Sequence, residues 1–146
     1  MKDAKQQLLR AAERFLARRE HSAYELKQKL TRHSDDAELI AEVIAALQKE
    51  NWQSDQRFVE SYVRSRTERG YGPLIIQAEL IGKGVDESLI TNAIGQLNER
   101  AEHTIKQAYE KKYGQQPIAD YQDKAKRMQF LQRRGFSHEQ IKQLFT

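Results

Sequence analysis

The residues best suited to chemistry in this sequence are its arginines, which recur in short groups: Arg18-Arg19, then Arg64, Arg66 and Arg69, then Arg133-Arg134. Each group falls near the expected end of a helix. A cation there is favoured by the helix dipole, by a few tenths to about 1 kcal/mol. The same placement suits a contact surface, because guanidinium groups beside Tyr71 and Phe136, both expected to be exposed, could meet phosphates or an acidic protein face. Both readings stand. The contact set is then Arg18, Arg19, Arg64, Arg66, Arg69, Tyr71, Arg133 and Arg134, and three arginines within residues 64–69 exceed what one helix terminus requires.

Other chemistries lack carriers. His21, His33, His103 and His138 lie far apart and do not form the paired spacing of a zinc-binding helix. Gly82-Lys83-Gly84 has neither the upstream glycine nor the following Ser/Thr of a phosphate loop, and reads as a helix end. With no cysteine, and no credible Ser/His/acid set, nucleophilic catalysis has no candidate. Asp35, Asp36 and Glu38 sit where a helix N-terminus favours negative charge. The expectation is a protein with no catalytic residue, no metal and no cofactor, and not an enzyme.

The elements that must position the arginines are helices. Ala, Glu, Lys, Gln, Arg and Leu dominate the 146 residues, with two prolines and seven glycines. No window alternates β-branched and polar residues in the manner of a strand. The hydrophobic share is 38% against 32% charged. Such a chain can build thin helical layers but not one thick core. The N-terminal residues lack the apolar stretch of a secretory signal, and no apolar run approaches the ~20 residues that span a bilayer. A monomeric, cytoplasmic protein with no membrane association is expected. The net charge of +4 is unevenly spread: residues 1–34 carry nine Lys/Arg against four Asp/Glu, residues 35–100 seven against twelve, and residues 101–146 nine against five. Basic ends around an acidic middle suit a bipolar surface or, equally, ordinary solvated helix faces.

Periodicity predicts a first helix over about 3–19 on Leu8, Ala12, Phe15 and Leu16. Ser22 with Glu25 forms a capping box for a second helix bearing Leu26 and Leu30. A third opens at Ser34 or Asp35, with Glu38 in the box position, and runs on Ile40, Val43, Ile44 and Leu47 to about Glu50. The plan then repeats. Ser54 or Asp55 caps a helix ending at Gly70, Pro73 starts the next, and Asp86 caps a third. Further helices are expected over about 99–113 and 120–134, with Ser137 and Gln140 capping a last short one. Gly70 should need the left-handed region and Gly72 should not, so Gly72 should tolerate alanine better.

An internal repeat organises these elements. FLARREHSAYELKQKL (15–30) aligns without a gap on FLQRRGFSHEQIKQLF (130–145), with seven of sixteen positions identical. Residues 64–80 keep the same frame. Each copy is a helix end, an N′ aromatic, an N-cap and an apolar N4 residue, so Tyr71 with Ile76 and Phe136 with Ile141 read as hydrophobic staples. The fold class is all-α: tandem three-helix modules, eight or nine helices in all, elongated, with modules over 1–52, 53–97 and 98–146. Three-helix units also invite a helix-turn-helix reading, but the third helix of the first unit carries Asp35, Asp36, Glu38, Glu42 and Glu50, and that of the second begins Asp86-Glu87. A phosphate-lined groove would repel both.

Three stretches resemble the RecX family of recombination regulators. They are residues 15–30, the segment 50–85 with its Asp-x-Arg-Phe, Tyr-Val-x-x-Arg and Gly-Tyr-Gly-Pro elements, and KAKRMQFLQRRGFSHEQIKQLF (124–145). Together they cover most of the chain in the family's order. Asn51-Trp52-Gln53-Ser54 and Thr31-Arg32-His33-Ser34 depart from the usual pattern locally. The resemblance implies tandem three-helix modules without a catalytic centre, and a partner in RecA, chiefly as its filament on single-stranded DNA. It also implies damping of RecA's ATPase and strand-exchange activities, and leaves room for weak direct contact with DNA. A nucleic-acid-binding helical module acting alone is the alternative.

Overall fold

A computed structural model describes residues 2–146. Among these residues there are nine helices and no strand. The first three are α1 (Lys2–Arg18), α2 (Ala23–Leu30) and α3 (Ala37–Lys49). The next three are α4 (Asp55–Glu68), α5 (Pro73–Gly82) and α6 (Glu87–Glu99), and the last three α7 (Ala101–Tyr113), α8 (Tyr121–Arg133) and α9 (His138–Leu144).

Each trio closes over its own apolar cluster. Leu8, Leu26, Leu30, Ile40, Val43 and Leu47 form the first. Phe58, Ile76, Leu80, Ile90, Ile94 and Leu97 form the second. Ile105, Ala108, Leu131, Phe136 and Ile141 form the third. Small separate cores leave much surface in water. The accessible area is 9963 Å², about a quarter above the ~7,800 Å² of a compact monomer of this mass.

The helix ends explain why the breaks fall where they do. Ser22 and Ser137 make complete capping boxes with Glu25 and Gln140, each worth on the order of 1 kcal/mol against alanine. Ser54 accepts from the Arg57 N–H at 3.2 Å. Two expected caps differ. The third helix is capped by Asp36, which accepts from the Leu39 N–H, so Glu38 is not in the box position. Ser34 instead accepts from the Asp36 N–H, which turns the chain just before the helix. Asp86 stands at the N-cap of α6 but makes no capping bond; its carboxylate accepts from the Ser88 hydroxyl. Helix α7 starts at Ala101, with Arg100 as the break from α6.

The second and third modules meet backbone to backbone. The first-turn N–H groups of Gly72 and Leu74 donate to the Arg134 and Gly135 carbonyls at 2.6 and 2.9 Å. The unpaired donors of one helix start therefore satisfy the unpaired acceptors of another helix end. This approach needs glycine on both sides. A Cβ on Gly72 would lie 2.7 Å from the Gly135 carbonyl, and one on Gly135 2.8 Å from Ile75. Gly70 does take a positive φ of 89°, as expected, but Gly72 has no room for alanine. The expectation that Gly72 is the more tolerant of the two does not account for this contact.

The first and second modules meet through side chains. The Ser22 hydroxyl donates to the Lys83 carbonyl, the Ala23 N–H to Asp55, and the Gln53 amide to both the His21 carbonyl and Asp55. His21 is buried. Its Nδ1 lies 3.0 Å from the Arg19 carbonyl and its Nε2 2.7 Å from Lys29 Nζ. That arrangement suits a neutral ring donating from Nδ1 and accepting at Nε2.

Candidate partner-binding surface

The arginines separate into those that hold the fold together and those that do not. Arg19, near the end of the first module's opening helix, donates to both oxygens of Glu25 at 3.1 Å and to the Glu20 carbonyl. Glu25 also accepts from the Ser22 N–H and from Lys83. Burial alone would raise the Glu25 carboxyl, but these donors override it and hold it at about 2. Arg66 forms a two-pronged pair with Glu79 at 2.9 and 2.7 Å and lies 4.0 Å over the Tyr71 ring. Burial works against its charge and the Glu79 pair more than restores it. Arg134 stacks over Tyr71 at 4.7 Å and Phe130 at 5.1 Å, and donates to the Arg69 carbonyl at 3.1 Å.

Arg18, Arg64, Arg69 and Arg133 are exposed, and their side chains have no hydrogen bond or ion pair among the described residues. Arg64 stands on the wall of a groove between α4, α6 and α7, near Glu60, Leu89 and Arg100. Tyr71 and Phe136 are not the exposed aromatics anticipated. Phe136 is 1% exposed, because as the N′ residue it packs on Ile141 in the third core. Tyr71 is half-buried, with both Arg66 and Arg134 over its ring.

The fold thus brings Arg66, Arg69, Tyr71 and Arg134 to one junction, leaves Arg18 and Arg19 at the end of the chain's first helix, and places Arg64 in a separate groove. Lys111, Lys112 and Phe130 join the Arg69–Arg134 region, and sequence reasoning missed them. The signal was available: both lysines lie in the last turn of α7, as the arginine groups lie at other helix ends. Arg127 was also missed. It is buried and ties the 114–120 loop down by donating to Tyr109, to the Gln116 and Pro117 carbonyls and to Asp123. A single Arg within a helix carries no mark of such a role. Among the described residues no group of His or acidic side chains could hold a metal ion, and no helix is long and apolar enough to cross a membrane.

Comparison with known proteins gives one family throughout. Residues 9–47 match "RecX, first three-helix domain", residues 54–94 the second, and residues 101–145 the third. A relative from Legionella pneumophila (strain Corby), named regulatory protein RecX, is 38% identical over 135 residues, spanning 92% of this chain and 90% of its own length. One of the same name from Halorhodospira halophila is 39% identical over 132 residues, 90% of this chain and 82% of its own. The crystal structure of RecX from Lactobacillus salivarius superposes with a TM-score of 0.80 at 24% identity, over 99% of this chain and 96% of that one. At that identity the superposition speaks for the fold.

Proposed function

This chain belongs to the RecX family of regulatory proteins, and on that premise we propose that it binds RecA as the filament on single-stranded DNA and damps its ATPase and strand-exchange activities. The observation that carries the reading is the match of all three modules, in order, along one chain. The physics is compatible. Three thin-cored modules joined end to end spread a larger surface than a compact domain of the same mass, and a filament offers repeated sites along its length. In this reading the chain acts as a cytoplasmic monomer with no catalytic residue and no cofactor.

The contact set is refined by what each arginine already does. Arg18, Arg64, Arg69 and Arg133, whose side chains have no partner among the described residues, are assigned to the partner surface. Arg19 and Arg66 support it from within their modules, by pairing with Glu25 and Glu79, and Arg134 from across a junction, by stacking over Tyr71 and bonding the Arg69 carbonyl. Exposed charges contribute little to folding, typically under ~1 kcal/mol, whereas like-charge contact at an interface can cost several.

The test is RecA's ATPase on single-stranded DNA, titrated with this protein. The parent should lower the steady-state rate. A variant with Arg64→Glu and Arg133→Glu should melt within about 2 °C of the parent and need at least tenfold more protein for the same inhibition. A parent that leaves the rate unchanged at any ratio contradicts the proposal. A stable variant that inhibits as well as the parent contradicts the assignment of these arginines.

A further inference from the structure

At the junction of the second and third modules lies a cavity of about 340 Å³ whose charged lining is wholly cationic: Arg69, Lys111, Lys112 and Arg134, beside the rings of Tyr71 and Phe130. Gly70 and Ala108 also line it, and their small size leaves it open. Two of the four cations have structural work. Arg134 donates to the Arg69 carbonyl, and Lys111 approaches the Glu68 carbonyl at 3.4 Å, so both neutralise the C-terminus of α4. The other two do not. The side chains of Arg69 and Lys112 form no hydrogen bond or ion pair among the described residues, and Lys112 lies 5.6 Å over Phe130. Four cations around one cavity without a lining carboxylate repel one another, and folding alone does not explain the second pair.

We infer that this cavity is an anion site that grips the phosphodiester backbone of single-stranded DNA. A lone carboxylate would offset one of the four charges, whereas a nucleic acid strand delivers one negative charge per nucleotide. Stacking on two rings holds the Arg134 guanidinium plane in place, and its Nε and Nη2 have no partner among the described residues. A guanidinium so fixed presents a planar fork that matches phosphate geometry. Cations already lie over both rings, Arg66 and Arg134 over Tyr71, and Arg134 and Lys112 over Phe130. The cavity offers cations rather than a bare stacking ring, and the grip is on the backbone without regard to sequence. Arg69 is shared with the proposed partner surface, so the test contains no RecA, and its failure leaves the filament reading standing.

The experiment uses the full chain, fluorescein-labelled oligo(dT) and oligo(dA) thirty nucleotides long, and a labelled polyglutamate of matched charge. Anisotropy titrations are run between 0.05 and 0.3 M salt. The variant is Arg69→Gln with Lys112→Gln, which removes the two cations without structural partners and should leave the melting temperature unchanged. The parent should bind both oligonucleotides alike, with affinity falling steeply as salt rises. The variant should lose roughly 20-fold at 0.1 M salt, and its log–log salt slope should shrink by about 1.4, the contribution of two single-strand phosphate contacts. Polyglutamate should bind weakly and equally to both proteins. If the double variant melts lower, Lys112→Gln alone should shrink the slope by about 0.7. The inference is overturned by a parent that does not bind DNA at low salt, or by a stable variant with unchanged affinity and slope. A loss of polyglutamate binding matching or exceeding that of DNA also overturns it, and would mark the cavity as a seat for an acidic protein surface.

Discussion

Glu25 shows how much one side chain can hold. It closes a capping box, pairs with Arg19 in its own module and accepts from Lys83 in the next. Its folded pKa of about 2 against an ordinary 4.5 means its contribution is full above pH 4.5 and is lost as the pH falls toward 2. Glu25→Gln should keep the box, since Gln140 already serves in the equivalent box of the third module, but lose both ion pairs. Melting curves should place the variant below the parent at pH 7, with the gap closing between pH 4.5 and 2. A gap that stays constant over that range would mean the ion pairs contribute nothing. His21 acts in a higher window. Burial, foremost, lowers its pKa from 6.5, while Glu25 acts to raise it, so its contribution is full above pH 6.5 and is lost as the pH falls below that. The capping serines and Glu25's place in the box were legible in the sequence, because a capping box is written in four consecutive residues. The partners of Arg66 and Arg134 were not, since Glu79 and Tyr71 reach them only through the fold. The misplacement of Phe136 has a plainer cause: a staple residue must face inward to touch its N4 partner, so a staple and an exposed contact aromatic are incompatible readings of one side chain.

At the level of elements, the helices followed from periodicity and caps, and the remaining differences are a residue or two at α3 and α7. The junctions did not follow. Gly72 and Gly135 stand 63 positions apart, and no local pattern states that two glycines from different modules must touch. Their contact makes a sharp stability prediction. Gly72→Ala should cost about 1–3 kcal/mol although its φ is ordinary, because the Cβ meets backbone that cannot give way. Gly135→Ala should cost at least as much, having both a φ of 99° and the approach to Ile75. Gly95 lies inside α6 with open space where a Cβ would stand, and should instead gain up to about 1 kcal/mol as alanine. Denaturant melts check all three. A neutral Gly72→Ala would mean the second and third modules are not locked as described.

For the whole molecule, the tandem of three-helix units was legible from the repeat of residues 15–30 in 130–145, and thin separate cores from the low apolar share. Which faces the modules turn to one another was not, because the contacts are made by residues ordinary in type: a glutamine, a serine, two glycines. The first junction is built of side-chain hydrogen bonds and the second of backbone hydrogen bonds across close-packed glycines. The second should therefore be the stiffer, with the last two modules moving as one unit against the first. The proposed regulation stands or falls on whether this chain recognises RecA in its assembled state, and co-sedimentation reads that recognition without intermediate steps. RecA filaments formed on single-stranded DNA with a non-hydrolysable nucleotide would be pelleted with this protein, beside RecA without DNA and DNA without RecA, at physiological salt. Saturable co-pelleting with the filament is expected, with at least tenfold weaker retention by either component alone. Retention that is the same on bare DNA as on the filament, or none on the filament at all, would refute recognition of the assembled state.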